Sequence, residues 1–71
     1  MLENLRALRE DKDWSQKQMA ELLNIQQTTY SDYELGKLNI PIAVLKKLAE
    51  IHETSVDYIL GLTSVKEPYP R

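Results

Sequence analysis

The stretch from Ser15 to Lys37, SQKQMAELLNIQQTTYSDYELGK, decides how this chain is read. It is punctuated as two short helices with a tight turn between them. Ser15 followed three residues later by Gln18 has the form of a capping box, in which each side chain takes up a free backbone N–H at a helix start, so a helix is expected from about Gln16. Met19, Ala20, Leu22 and Leu23 recur at helical spacing and are expected on one face. The pattern breaks at Asn24, which tolerates the left-handed conformation of a helix stop, and Ile25 follows as an apolar anchor for the turn. A second helix is read from about Gln27, carrying Tyr30, Tyr33 and Glu34, until Gly36 supplies another left-handed stop. Helices that cross steeply bring their backbones close, and Ala20 is small enough to allow it. The polar residues Gln26, Gln27, Thr28, Ser31 and Asp32 are left on the outer face of the second helix.

Outward from this centre the pattern stays helical. Leu2, Leu5 and Leu8 form an apolar stripe on a first helix from about Leu2 to Asp11, and Lys12-Asp13 is a short polar connection. Trp14, just before the cap, occupies a hydrophobic-staple position from which it could pack on Met19; a core plug is favoured over stacking on a base or ligand. After Gly36, Leu38-Asn39-Ile40 reads as a loop, and Pro41 suits the first turn of a fourth helix, with Asn39 as a candidate cap. Ile42, Leu45, Leu48, Ala49 and Ile51 give that helix its expected buried face. A fifth short helix is expected from Ser55 to Gly61, burying Val56, Ile59 and Leu60. The expected fold class is all-α, a compact five-helix domain over residues 1–62. Residues 63–71 lack periodicity and end in two prolines, so an extended or mobile tail is expected there. The core list is Leu5, Leu8, Trp14, Met19, Ala20, Leu23, Ile25, Tyr30, Leu45, Leu48, Val56 and Ile59, with Tyr33 as a partial member.

Composition narrows the possibilities. With 71 residues one small domain is expected, without a second, effector-sensing one. It has no cysteine and a single histidine, His52, which excludes disulfides and thiolate sites and leaves no zinc site, cofactor or metal to expect. His52 itself is expected to cap carbonyls or face solvent at a helix end. No apolar run approaches the roughly 20 residues of a membrane span and the start does not read as a signal peptide, so a cytoplasmic location is the default. The net charge of −2, from nine basic and eleven acidic residues, argues against a generally sticky nucleic-acid binder. Specific binding depends instead on where a few cations sit, and Arg6, Arg9, Lys12, Lys17 and Lys37 cluster early in the chain. Weak non-specific affinity and marked salt sensitivity are expected.

The ordered set Ser15-Gln16, Ala20, Ile25, Thr28-Thr29-Tyr30, Tyr33-Glu34, Gly36-Lys37, Leu45-x-x-Leu48-Ala49 and Ser55-Val56-Asp57-Tyr58 resembles the Cro and lambda-repressor-like helix-turn-helix regulators, the XRE family. The resemblance covers about Leu2 to Leu62. Three positions depart from the pattern: Asn24 stands where glycine is usual, Gln26 where Ser or Thr is common, and Tyr30 where Ile or Val is usual. Gln26 is a poor cap, and Tyr30 demands repacking.

The resemblance implies double-stranded DNA as partner, with the second motif helix in the major groove and Gln26, Gln27, Thr28 and Asp32 as base readers. Gln27 is the sharpest candidate, since an amide both accepts and donates and so matches adenine. Thr28 offers a methyl for a thymine methyl. Asp32 could accept from cytosine, but it also repels phosphate and so fits a role in excluding wrong sequences. An ordinary solvated surface is the competing reading of this face. Arg9, Gln16, Lys17, Thr29 and Lys37 are the phosphate-contact candidates, Lys17 being equally readable as a solvated lysine and Thr29 as an intrahelical hydroxyl. The resemblance also pairs Arg9 with Glu34 as a brace, leaving the other Arg9 N–H groups for a phosphate. A homodimer is expected, because one half-site is too short to be specific. Leu38, Ile40, Tyr58, Leu62 and Val65 are its contact candidates or else the edge of the core, and Tyr69 is either a clasp or part of a loose end. An enzyme reading lacks a nucleophile, base and metal in combination. The alternative is an antitoxin-like or other protein-interaction module on the same fold. Repression is the favoured mode of regulation, and no small-molecule ligand is evident.

Overall fold

The computed structural model describes residues 2–68, which form five helices and no strand. These are α1 Glu3–Asp11, α2 Gln16–Leu23, α3 Gln27–Leu35, α4 Ile42–Ile51 and α5 Val56–Ile59. The all-α architecture read from the sequence is the one observed. None of these helices is long and apolar enough to cross a membrane. α2 opens on the capping box: Ser15 Oγ accepts from the Gln18 N–H at 3.1 Å, and Gln18 Oε1 accepts from the Ser15 N–H at 2.8 Å. Two of the free donors at the helix start are thereby satisfied.

All five helices stop by the same device. A residue with positive φ follows each last turn: Asp13 (56°), Asn24 (56°), Gly36 (76°), Glu53 (51°) and Gly61 (77°). Past α1, Trp14 N–H donates to the Arg9 carbonyl and Asp13 N–H to that of Glu10; the same two-bond pattern recurs at Ile25/Asn24, Lys37/Gly36, Thr54/Glu53 and Leu62/Gly61. This is the Schellman arrangement, which occupies carbonyls that a helix end otherwise leaves unpaired. Asn24, Gly36 and Gly61 were legible as stops because asparagine tolerates the conformation and glycine has no Cβ to clash. Asp13 and Glu53 stop helices too, and glutamate is a residue type that resists the conformation.

Leu5, Leu8, Met19, Ala20, Tyr30, Leu45, Leu48 and Ile59 form the buried cluster, with Trp14, Leu23, Ile25 and Val56 half-buried against it. α2 packs chiefly on α3 and α4 on α5, while α1 touches both α3 and α5. Ala20 is buried in that cluster, and Tyr30 is fully enclosed, so the bulk expected to need repacking is absorbed by the core.

Several expectations need correcting. Leu22, Ile42 and Leu60 face solvent rather than the core, Ile42 at 76% exposure. In α4 the buried stripe is narrower than the apolar pattern, because only Leu45 and Leu48 are fully covered. Asn39 does not cap α4: Pro41 holds the N-cap position, just outside the helix, and no side chain bonds there. Tyr33 is fully rather than partly buried, and His52 is buried at 5% exposure instead of capping or facing solvent. α5 is shorter than expected, with Ser55 outside as its cap, accepting from the Tyr58 N–H at 3.0 Å. Residues 63–68 carry no helix, but they are tied to the body. Thr54 Oγ1 donates to the Lys66 carbonyl, and Lys66 Nζ lies 3.3 Å from Asp11. Tyr69 lies outside the described residues.

Candidate nucleic-acid interface

The outward face of α3 follows from what its inner face must bury. Tyr30, Tyr33 and Glu34 are all buried, and a helix that commits these three has no rotational freedom left. Gln27 and Thr28, at the start of the same helix, are thereby turned to solvent, as is Gln26 just before it. Ser31 and Asp32 are half-buried, one turn further along. Gln26 sits at the N-cap with extended backbone (φ −74°, ψ 148°) and makes no side-chain cap bond, so its amide is not consumed by the helix. The end of the helix offers the polar side chains Gln26, Gln27 and Thr28, and free backbone N–H groups, to whatever approaches.

The other side of α3 is held by a buried network. Arg9 Nε donates to Glu34 Oε2 at 2.7 Å and Nη2 to Oε1 at 3.3 Å, a forked contact that fixes both planes. Arg9 Nη1 donates to the Trp14 carbonyl at 2.8 Å, and Gln16 Nε2 donates to Glu34 Oε1 at 3.3 Å. The Glu34 main-chain carbonyl accepts from Leu2 N–H at 2.8 Å. One carboxylate near the end of α3 thus joins α1 to the first turn of α2. Burial alone pushes the Glu34 carboxyl up, but hydrogen bonds from Arg9 and Gln16, the nearby Tyr30 hydroxyl and the Arg9 charge outweigh it and hold the group below its ordinary value. The Glu34 hydrogen bond chiefly raises the Arg9 guanidinium, against the opposing effect of burial. Burial, then Glu34, pushes the Tyr30 phenol far up. Its hydroxyl lies near the same carboxylate without meeting full hydrogen-bond geometry.

The phosphate candidates separate into two groups. Arg9 directs three N–H groups inward with its side chain 13% exposed, and Gln16 is half-buried with its amide turned to Glu34. Beside them a recess of about 130 Å³ is lined by Arg6, Arg9, Gln16, Glu34 and Leu35. Lys17 and Lys37 are exposed and, among the described residues, form no ion pair, while Thr29 is half-buried. The remaining early cations are engaged elsewhere. Arg6 lies 3.6 Å from Glu10, and Lys12 stands 5.3 Å over the Trp14 ring.

Of the dimer candidates, Ile40 and Tyr58 pack against the core, whereas Leu38, Leu62 and Val65 are exposed. Sequence reasoning missed the roles of Trp14 and Gln16 in the network. The Arg9 bond to the Trp14 carbonyl exists only because the chain reverses at Asp13, and nothing in the local pattern announces that reversal.

A polar helix start projecting from a turn, clamped from behind by a buried ion pair and packed across a small-residue crossing, defines a helix-turn-helix unit. A family model described as helix-turn-helix matches residues 5–59. The HTH-type transcriptional regulator AnsR of Bacillus subtilis is 36% identical over 70 residues, covering 99% of this chain and 60% of that protein. From the same organism, the uncharacterized HTH-type transcriptional regulator YobD is 38% identical over 66 residues, covering 93% and 59%. An SPbeta prophage-derived uncharacterized regulator of this type, YonR, is 38% identical over 58 residues, covering 82% and 54%. No solved structure gives a significant match. The chain belongs to the XRE-type helix-turn-helix family of DNA-binding transcriptional regulators. It spans about three-fifths of the length of the first two relatives.

Proposed function

We propose that this protein binds a specific double-stranded DNA site as a homodimer in the cytoplasm, with α3 in the major groove, and represses transcription without itself being an enzyme. The observation that carries the reading is the fixed rotation of α3, which buries Tyr30, Tyr33 and Glu34 and leaves Gln26, Gln27 and Thr28 exposed. Gln27 pairs with an adenine edge, Thr28 meets a thymine methyl, and Gln26 and Asp32 flank them. Lys17 and Lys37 supply the phosphate contacts, joined by the start of α2 at Gln16 and by Thr29. Arg9 acts chiefly by holding Glu34, its two remaining N–H groups facing any phosphate that reaches the recess. Residues 1–62 are the DNA-binding domain and 63–71 a C-terminal tail. Exposed Leu38, Leu62 and Val65 support self-association.

Selection from a random-sequence duplex pool tests this. Enrichment of an inverted repeat with half-sites about one helical turn apart is the expected result. A folded protein that retains no duplex at low salt overturns it and favours the protein-interaction reading.

A further inference from the structure

His52, at the end of α4, is 5% exposed, and neither of its ring nitrogens has a hydrogen-bond partner. Its ring lies 5.9 Å from that of Trp14, tilted by 46°. The recess it borders is lined from three parts of the chain: Asp11 and Lys12 at the end of α1, Glu53 beside the histidine, and Lys66, Glu67 and Pro68 of the C-terminal segment. Two attachments hold that segment down, the Thr54 hydroxyl on the Lys66 carbonyl and the Lys66 ammonium near Asp11. On each side of it the surface is unfilled, with recesses of about 570 Å³ and 500 Å³ that both reach Pro68. The segment is therefore a strap that borders the same recess as a buried imidazole and is fastened by those two bonds.

We propose that His52 is an acid-sensitive latch: neutral, it lets the strap from Thr63 to Pro68 lie against α1 and α4, and protonated, it releases the strap. A protonated imidazole needs acceptors for two N–H groups, and the closed arrangement supplies none to either nitrogen. Lys12 and Lys66 add like charge, while Asp11, already beside Lys66, and the carboxylates of Glu53 and Glu67 make no bond to the ring. Opening lets water reach the ring. Burial first, then the charges of Lys12 and Lys66, keep the group below its ordinary 6.5, so the closed state is favoured above that pH and weakens as pH falls through it.

The chain has one histidine and one tryptophan, so both ends of the contact report without interference. Full-length protein is titrated from about pH 7.5 to about pH 5, above the ordinary carboxylate range, by NMR of the His52 ring and the amides of residues 63–67, with Trp14 emission in parallel. Expected are a depressed His52 pKa and amide shifts that move to unstructured values on the same curve, the open fraction rising up to about tenfold per pH unit. His52→Phe should abolish that movement. Amides that stay still through the His52 titration, or that move equally in His52→Phe, overturn the latch. Thr54→Val provides the reciprocal test and decides alone if His52→Phe does not fold: loosening the strap should raise the His52 pKa toward its ordinary value, and an unchanged pKa overturns the proposal.

Discussion

Glu34 is a charged group with 3% exposure in a domain of 71 residues, a placement that is stable only if every lone pair is answered. Arg9 and Gln16 answer it, and the Arg9 fork sets where α3 sits relative to α1. Removing one partner leaves the other charge stranded, so Glu34→Ala should cost about 3–5 kcal/mol, read by urea denaturation. That is close to the whole stability of a small domain. Replacing both partners, Arg9→Met with Glu34→Leu, should recover most of the loss, because an apolar pair of similar volume carries no desolvation cost. The pH dependence has a definite sign. Since the folded Glu34 pKa is lowered from 4.5, its contribution is fully present above that value and is lost as pH falls through the lowered one. The acid limb of the stability curve should be flatter in the double variant than in the parent.

At the level of the helices, the five left-handed stops make separable predictions. Gly61 has φ of 77° and open space where a Cβ would sit, so Gly61→Ala meets only the conformational penalty, about 1–2 kcal/mol. Glu53 already bears that penalty at φ 51°, and Glu53→Gly should stabilise by up to about 1 kcal/mol after the unfolded chain's added freedom is subtracted. Thermal melts of the two variants should move in opposite directions. For α3, whose orientation is set from its buried side, Gln27→Ala should relax preference at one base pair by about 1–3 kcal/mol and leave the fold intact. A binding series over single-base operator variants checks this. Equal losses at every position would assign Gln27 to the backbone instead.

For the whole molecule the charge balance decides the style of binding. At a net −2, and with Arg6, Arg9, Lys12 and Lys66 each occupied within the protein, few cations remain for phosphate. Affinity should fall with salt along a log–log slope of about −0.9 per phosphate contacted, and Lys37→Ala should reduce that slope by about 1 per subunit while weakening all sequences alike. In the proposed dimer Leu62 is a contact candidate, 72% exposed and contributing little to the core. Leu62→Asp should therefore leave the monomer's stability within about 0.5 kcal/mol while shifting sedimentation toward monomer. A variant that stays dimeric would move the interface elsewhere.

Local chemistry was enough to place α2, α3 and the turn between them, because the capping box, Asn24 and Gly36 act through neighbours in the chain. The five-helix count and most of the buried cluster were legible for the same reason: apolar spacing reports one face of a helix without reference to its partners. Spacing could not say how wide that face becomes once packed. Ile42, Leu22 and Leu60 look like core residues in the pattern, yet lie beyond the strip that neighbouring helices cover. It was equally silent on His52, which is buried beside Trp14 and shares a recess with Lys66, 14 residues later, and on the left-handed turns at Asp13 and Glu53. The candidate reading residues were named from one stretch of sequence and a resemblance. What directs them outward is tertiary: two tyrosines and a glutamate on the opposite side of α3, held by partners that only the folded chain brings within reach.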